Sequence, residues 1–323
     1  MDSAPSFDSP DTNQFIADVR AGLSATGQRV LPSKYLYDEV GSSLFEVICV
    51  LPEYGLTRAD TRLLRRHADR WVADLPPGCS VVELGSGSSR KTRLILEALT
   101  RRQPAAYYPI DISRAALRQC ERELGDIENL TVSGLHTDYL HGLATASLRR
   151  QPGAPLLVLF LGSTIGNFDR AGGEQFLTRV RDCLQPGDLL LLSTDMVKSE
   201  VLLVPAYDDS IGVTAAFNKN LLARINRELG GQFTLSDFAH QARWNVIHRR
   251  IEMHLVALRD VEVPIQRAQF TLTMSRGETI KSEDSYKFLP DDLALLAQRG
   301  GYRSLVAWHD DEWGFMQSLW QVC

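Results

Sequence analysis

Glycines, carboxylates and one aromatic residue stand in this sequence at spacings that suit a nucleoside-like ligand. The run Val81-Val82-Glu83-Leu84-Gly85-Ser86-Gly87-Ser88-Ser89-Arg90-Lys91-Thr92 passes from an apolar stretch through an acid to two glycines one residue apart. It then takes on helical spacing at Thr92, Leu94, Ile95, Leu96, Ala98 and Leu99, the pattern of strand, tight loop and helix. Glycine lets the backbone approach a ligand with no Cβ in the way, and the loop amides and helix start supply donors. The residue types separate the possible ligands. A P-loop needs a second glycine just ahead of Lys-Ser/Thr, and Arg90 stands there, so phosphate cradling is disfavoured. The same arginine occupies the third glycine of the dinucleotide fingerprint, which leaves that reading weak. A glycine turn that binds nothing is the remaining alternative.

These residues need elements to hold them. Residues 1–12, rich in Ser, Asp and Pro, read as a disordered lead-in. A helix is predicted over 14–23, another ends near Leu51-Pro52, and helix signals run over 58–73 before the punctuation Pro76-Pro77-Gly78. Strands and helices then alternate: strand 107–111 ending in Asp111, helix 114–124, strand 130–133, helix 173–184 and strand 189–193. Between them, 156–161 is a continuous apolar run, the mark of a strand buried on both faces. Such alternation implies a doubly wound α/β sheet. After Lys198 it breaks, with 201–228 predicted helical and 249–258 and 268–273 alternating like antiparallel strands. A helix over 290–298 and strands over 302–307 and 315–319, meeting near Gly314, return to the first pattern. The expected division is a sheet domain of 58–200 and 286–323, and a smaller α+β substrate domain of 13–57 and 201–285.

Composition narrows the function classes. The 323 residues are 44% hydrophobic and 23% charged, ordinary for a globular chain that buries a full core. A net charge of −5 gives no footprint for nucleic acid, and clusters such as Arg101-Arg102, Arg149-Arg150 and Arg249-Arg250 read as solvated helix faces. Five scattered cysteines, odd in number and without paired metal-ligand spacing, read as reduced thiols in the cytoplasm. The polar, acidic start and the lack of a long apolar run predict no secretion and no membrane span. A small-molecule substrate, no metal and a monomer are expected.

The acidic-x-Gly-x-Gly loop resembles motif I of class I S-adenosylmethionine-dependent methyltransferases, in which no pyrophosphate has to be held. In an open α/β sheet the ligand lies across the carboxyl ends of the strands where their order reverses, which gathers Gly85, Ser86, Gly87, Asp111, Asp138 and the stretch from Gly162 to Asn167 at one crevice. Asp111 is suited to accept both ribose hydroxyls, with capping of the helix at Arg114 as its alternative. Asp138-Tyr139 can accept from the adenine amino group and offer a ring beside it, or cap a helix.

Over nearly its whole length the chain resembles the histidine Nα-methyltransferases of ergothioneine biosynthesis. The resemblance is carried by Lys34-x-x-Tyr37-Asp38, Gly41-Ser42-x-Leu44-Phe45, Leu51-Pro52-Glu53-Tyr54, the glycine loop with Lys91-Thr92, Phe160 to Asn167, Tyr207-Asp208-Asp209, Gly212 to Asn218, Arg250-Ile251-Glu252-Met253 and Glu283-Asp284-Ser285-Tyr286-Lys287-Phe288. It implies a class I fold with an antiparallel final hairpin, S-adenosylmethionine as cofactor, and up to three methylations of the α-amine of L-histidine, giving hercynine. It assigns Tyr37, Gly85, Lys91, Asp111, Asp138 and Tyr139 to the cofactor, beside the crevice residues Ser86, Gly87 and Gly162. The substrate carboxylate falls to Asn167 and Tyr207, and the imidazole to Glu283 and Ser285, with Tyr54 beside the substrate and Met253 lining the pocket. Amide and phenol donors suit a carboxylate, and a carboxylate with a hydroxyl can serve both ring nitrogens. Tyr207 as a core residue and Glu283 as a surface charge beside Lys281 are the plainer alternatives. Tyr37 or Tyr54 is expected to receive or orient the amine proton through water.

Two departures from the family pattern are Gly55 after Tyr54, where an aromatic is common, and His254 after Met253. Gly55 is expected to leave extra space for the substrate, which keeps another amino acid or amine open as acceptor. A catalytically inert, cofactor-binding regulatory module is the alternative from another class.

Overall fold

A computed structural model of the protein describes residues 10–323. The chain begins with α1 (Pro10–Leu23), β1 (Arg29–Val30), α2 (Glu39–Ile48) and α3 (Gly55–Ala73), and enters the sheet at β2 (Ser80–Leu84). There follow α4 (Arg93–Thr100), β3 (Ala105–Asp111), α5 (Arg114–Leu124), β4 (Leu130–Val132), β5 (Leu135–His136), α6 (Tyr139–Leu148), β6 (Leu156–Phe160), α7 (Arg170–Asp182) and β7 (Leu189–Asp195). After α8 (Glu200–Leu203) and α9 (Val213–Leu229) come β8 (Phe238–Asn245), β9 (Arg250–Ala257), β10 (Val261–Ile265), β11 (Phe270–Met274) and β12 (Thr279–Tyr286). The chain closes with α10 (Pro290–Gly300), β13 (Tyr302–Asp310) and β14 (Phe315–Val322).

The large sheet has the order β13-β14-β7-β6-β2-β3-β4, with β5 beside β3. Its inner strands are parallel, and β14 runs antiparallel to both β7 and β13. This is the class I methyltransferase sheet expected from the sequence. From β2 the chain steps outward to β3 and β4, then returns to the other side of β2 as β6, so the order reverses at β2/β6 and opens a crevice there. Every residue of β6 and β7 is buried, as strands covered on both faces must be. Alternate side chains feed two cores: Val82, Val158, Phe160 and Leu190 pack under α6 and α7, while Val81, Leu157, Leu159 and Leu191 join a cluster that continues into Phe217, Ile251 and Met253.

That second cluster lies under a four-stranded sheet of order β1-β12-β9-β8, antiparallel apart from β1 along β12. The two sheets are spliced by the chain itself. Just past β12, Phe288 bridges Met196 in parallel register, its N–H donating to the Asp195 carbonyl at 3.0 Å and its carbonyl accepting from Val197 N–H at 3.0 Å.

Three expectations change. Residues 10–12 belong to α1, with Pro10 as its first residue, a position where the missing N–H of proline is harmless; residues 1–9 of the expected lead-in lie outside the described residues. The single helix over 201–228 is two helices, because Pro205 and Gly212 (φ +81°) interrupt it and Asp209 caps the second one through Val213 N–H at 2.9 Å and Thr214 N–H at 2.7 Å. The antiparallel region also gains β8 and β12, whose polar residues hid their alternation, and β10, where Pro264 stands within the alternation of Val261, Val263 and Ile265.

Candidate active site

The crevice is one cavity of about 670 Å³, walled by the loops after β2, β3 and β6 on one side and by α2, β9 and β12 on the other. Gly85 (φ +74°) and Gly87 (φ +53°) hold a left-handed turn that other residues adopt with strain. A Cβ on Gly85 would lie 3.1 Å from the Tyr139 hydroxyl, so the loop packs as closely as glycine permits. Asp111 organises this turn. One carboxylate oxygen accepts from Gly87 N–H at 3.0 Å and the other from Ser113 N–H at 2.8 Å. The cap of α5 is Ser113 and not Asp111, so the lone pairs left on Asp111 are available on the cavity wall. Asp138, by contrast, does cap α6, accepting from the N–H groups of Leu140 and His141 at 3.1 Å each while also lining the cavity. The Tyr139 ring is fixed edge-on by Phe160 and Phe176, at 5.8 and 5.9 Å.

The opposite wall carries most of the other predicted residues. Met253 and Glu283 are direct partners across β9 and β12, and Ser285 follows Glu283 on the same strand face. Tyr207, from the loop between α8 and α9, shares a 2.8 Å hydrogen bond with Ser285 Oγ. Glu283 is 9% exposed, and among the described residues no group hydrogen-bonds its carboxyl. Burial raises its pKa to about 7, against the opposing pull of the Lys287 charge. Asn167 ends the short helical turn that follows Gly162, and its amide also lines the cavity. Tyr37 packs on Phe45 and Phe217, at 5.5 Å each, and Tyr54 on Tyr207 at 6.0 Å. Burial first, then nearby Glu283 for Tyr37 and Tyr207 for Tyr54, holds both phenols well above their usual acidity range.

Residues 15–322 match the family described as histidine-specific, S-adenosylmethionine-dependent methyltransferases. The chain is 40% identical to the histidine N-alpha-methyltransferase of Mycolicibacterium smegmatis over 307 residues, which are 94% of this chain and 93% of the relative. It is 41% identical, with the same coverage, to the histidine N-alpha-methyltransferase of Mycobacterium tuberculosis. The ergothioneine biosynthesis protein 1 of Neurospora crassa is 31% identical across 89% of this chain, which spans 33% of that protein. The chain belongs to the histidine-specific methyltransferase family.

The cavity of this methyltransferase fits the family's cofactor. A carboxylate suited to a ribose diol, a glycine turn held at positive φ and an aromatic ring beside a capped helix start stand together on one wall. Two predicted residues stand off that wall. Lys91 gives its ammonium to Asp60 at 2.7 Å, and Ser86 is buried behind the turn, its hydroxyl without a protein partner. Glu83, the acid of the glycine motif, faces the interior, where Thr92 Oγ1 donates to it at 2.8 Å and Tyr107 Oη also donates.

Gly55 is a correction. A Cβ there would stand 2.0 Å from the Trp313 ring, so the glycine makes room for that indole and adds no space to the cavity. His254 is also remote, 2% exposed and turned towards Glu252 at 3.3 Å.

No feature of the sequence pointed to Asp60, 0% exposed, which accepts from Lys91, Gly162 N–H (2.9 Å), Ser193 (2.7 Å) and Gln317 (2.6 Å) and so ties the loop after β6 to α3, β7, β14 and the loop after β2. Thr214 was missed too; it lines the cavity, and its hydroxyl has no protein partner. Among the described residues no helix is long and apolar enough to cross a membrane.

Proposed function

We propose that this methyltransferase transfers methyl groups from S-adenosylmethionine to the α-amine of L-histidine, up to three times, giving hercynine. The observation that carries the reading is Glu283, a buried and unpartnered carboxyl on the cavity wall with Ser285 beside it on the same strand face. Two polar groups at that spacing serve the two imidazole nitrogens, while the Asn167 amide and the Tyr207 hydroxyl donate to the amino-acid carboxylate.

When bound, S-adenosylmethionine supplies an electrophilic methyl group. The protein's own contribution is to hold, orient and dry the reactants. Asp111 accepts from the ribose hydroxyls, the glycine turn brings its backbone up to the cofactor, and Tyr139 stands beside the adenine with Asp138. Lys91 and Ser86 act one step back, Lys91 through Asp60 on Gly162 and Ser86 within the turn. Phe45 and Phe217 exclude water around Tyr37.

The nucleophile is the neutral amine, so each methylation begins with loss of a proton. Tyr37 and Tyr54 stay protonated at neutral pH, because burial opposes a phenolate. They orient the amine or a water at their hydroxyls and do not keep its proton, which passes through that water to solvent; this narrows the expectation from sequence. On this reading the substrate is met chiefly by 13–57 and 201–285, with Asn167 contributed by the cofactor half. All five cysteines are free, which fits the cytoplasm, and we take the chain to act as a monomer.

Mass spectrometry of the purified protein with S-adenosylmethionine, the twenty amino acids and histamine tests the reading. Trimethylated histidine is expected as the main product, with histamine a very poor acceptor. Strong preference for another amino acid, or histamine turnover equal to that of histidine, would overturn it.

A further inference from the structure

Beneath Tyr207 and Ser285 lies a charged group that the substrate cannot touch. Lys287, next along the strand face after Glu283 and Ser285, has a fully buried ammonium. It donates to Tyr207 Oη at 2.8 Å and to Ser285 Oγ at 2.9 Å, and meets Asp195 Oδ2 at 2.9 Å as an ion pair. Burial works against its charge, and the Asp195 carboxylate and the Tyr207 hydroxyl together outweigh it. Asp195 is itself shared: its other oxygen also meets the Lys198 ammonium and accepts from Trp313 Nε1 at 3.1 Å. One carboxylate facing two ammonium groups leaves an excess of positive charge below the two hydroxyls.

The two hydroxyls have only two hydrogens between them, and either oxygen can donate in the bond they share. Both hydroxyl oxygens already accept from Lys287, and the 2.8 Å contact between them takes one of their two hydrogens. A single O–H hydrogen is left for the cavity. Granting the histidine reading above, we propose that Lys287 is a positioning residue for the amino-acid carboxylate: it orients Ser285 to donate to Tyr207 and Tyr207 to donate into the cavity. The Ser285 oxygen keeps one lone pair for a ring N–H. Acting through neutral hydroxyls also lets the pocket attract an anion without an exposed cation next to an amine that has to be a free nucleophile. Glu283, the acid of the same wall, is occupied by the ring in this arrangement.

The test uses two half-substrates as competitive inhibitors of histidine methylation: imidazole-4-propionate, which keeps the carboxylate, and histamine, which lacks it. In Lys287→Met the inhibition constant of imidazole-4-propionate should rise at least about tenfold and that of histamine should stay within about twofold. Affinity for S-adenosylmethionine, measured by calorimetry, should be unchanged. Should this variant fail to fold because Asp195 loses a partner, Lys287→Met combined with Asp195→Asn gives the same comparison. Tyr207→Phe, which removes the outward O–H and keeps the ammonium, must reproduce the loss. Inhibition constants that rise together, or that both stay unchanged, would overturn the proposal, since a general packing defect does not tell the two inhibitors apart. A wild-type protein that does not methylate histidine would overturn the functional reading as well, and is recognised before any variant is made.

Discussion

Replacing Glu283 by Gln should stabilise the empty protein at pH 8 and leave it nearly unchanged at pH 4. Burial holds the carboxyl near pKa 7 against an ordinary value of 4.5, so the folded state keeps its proton to higher pH than the unfolded chain does. Its contribution to stability is therefore largest below about pH 4.5, declines as pH rises through that window, and has reached its full penalty above about pH 7. At about 1.4 kcal/mol per tenfold change in acidity the whole gap is worth roughly 3 kcal/mol, and partial solvation from the open cavity brings the expectation to about 1–3 kcal/mol. Gln has the shape of the neutral acid and never charges. Its melting temperature should exceed that of the wild type by roughly 2–8 °C at pH 8, with almost no difference at pH 4, in thermal melts without ligand. Glu83, also held near 7 by burial, is present in both proteins and cancels. Histidine turnover should fall in the same variant, so the carboxyl would trade stability for recognition. A melting difference that is the same at both pH values would show that the Glu283 charge is not what burial opposes.

Three further outcomes are expected. Asp111→Ala should weaken S-adenosylmethionine binding at least about tenfold in calorimetry, since charge-assisted hydrogen bonds are worth about 1.5–3 kcal/mol each; unchanged affinity would reduce Asp111 to a brace for the glycine turn. Gly55→Ala should lower stability by about 1–3 kcal/mol in chemical denaturation, because the new Cβ meets the Trp313 ring at 2.0 Å, and should not broaden the range of amino acids accepted in competition. Glu283→Ala with Met253→Val, neighbours across two paired strands, should weaken histidine and raise turnover of tryptophan relative to it, because the unpaired carboxyl that rejects apolar rings is gone. Loss of both activities together would count against that account of selectivity.

The large sheet was legible because its strands are apolar runs and its helices carry their own stops. The helix expected over 114–124 spans those residues in the structure, where Ser113 rather than Asp111 caps it. The second sheet was mostly hidden. Strand β12 reads Thr-Ile-Lys-Ser-Glu-Asp-Ser-Tyr, polar on the face that lines the cavity, so the residues that make it useful also erased its alternation. The cavity residues came from the glycine turn and from family resemblance, and most of them do meet on one wall or the other. What single positions could not reveal was partnership across the fold. Gly55 looked like missing bulk because its neighbour Trp313 lies almost at the other end of the chain. Asp60 and the role of Lys287 show only in the fold, where four and three partners respectively gather round them.

The splice at Phe288 bears on how such an enzyme can change its substrate over time. Many two-part enzymes acquire new specificity by exchanging or re-angling the part that grips the substrate. Here β12, which bears Glu283 and Ser285 and leads into Lys287, runs within two residues into backbone pairing with Asp195, the last residue of β7, and Met196 just past it. A transplanted substrate half would carry that pairing and the Lys287–Asp195 contact away with it, and would have to find their match in its new host. New acceptors should then arise by replacing side chains in place along β9 and β12, and a chimaera of two relatives should keep its fold only when its crossover point leaves the backbone from Glu283 to Phe288 and the end of β7 from the same parent.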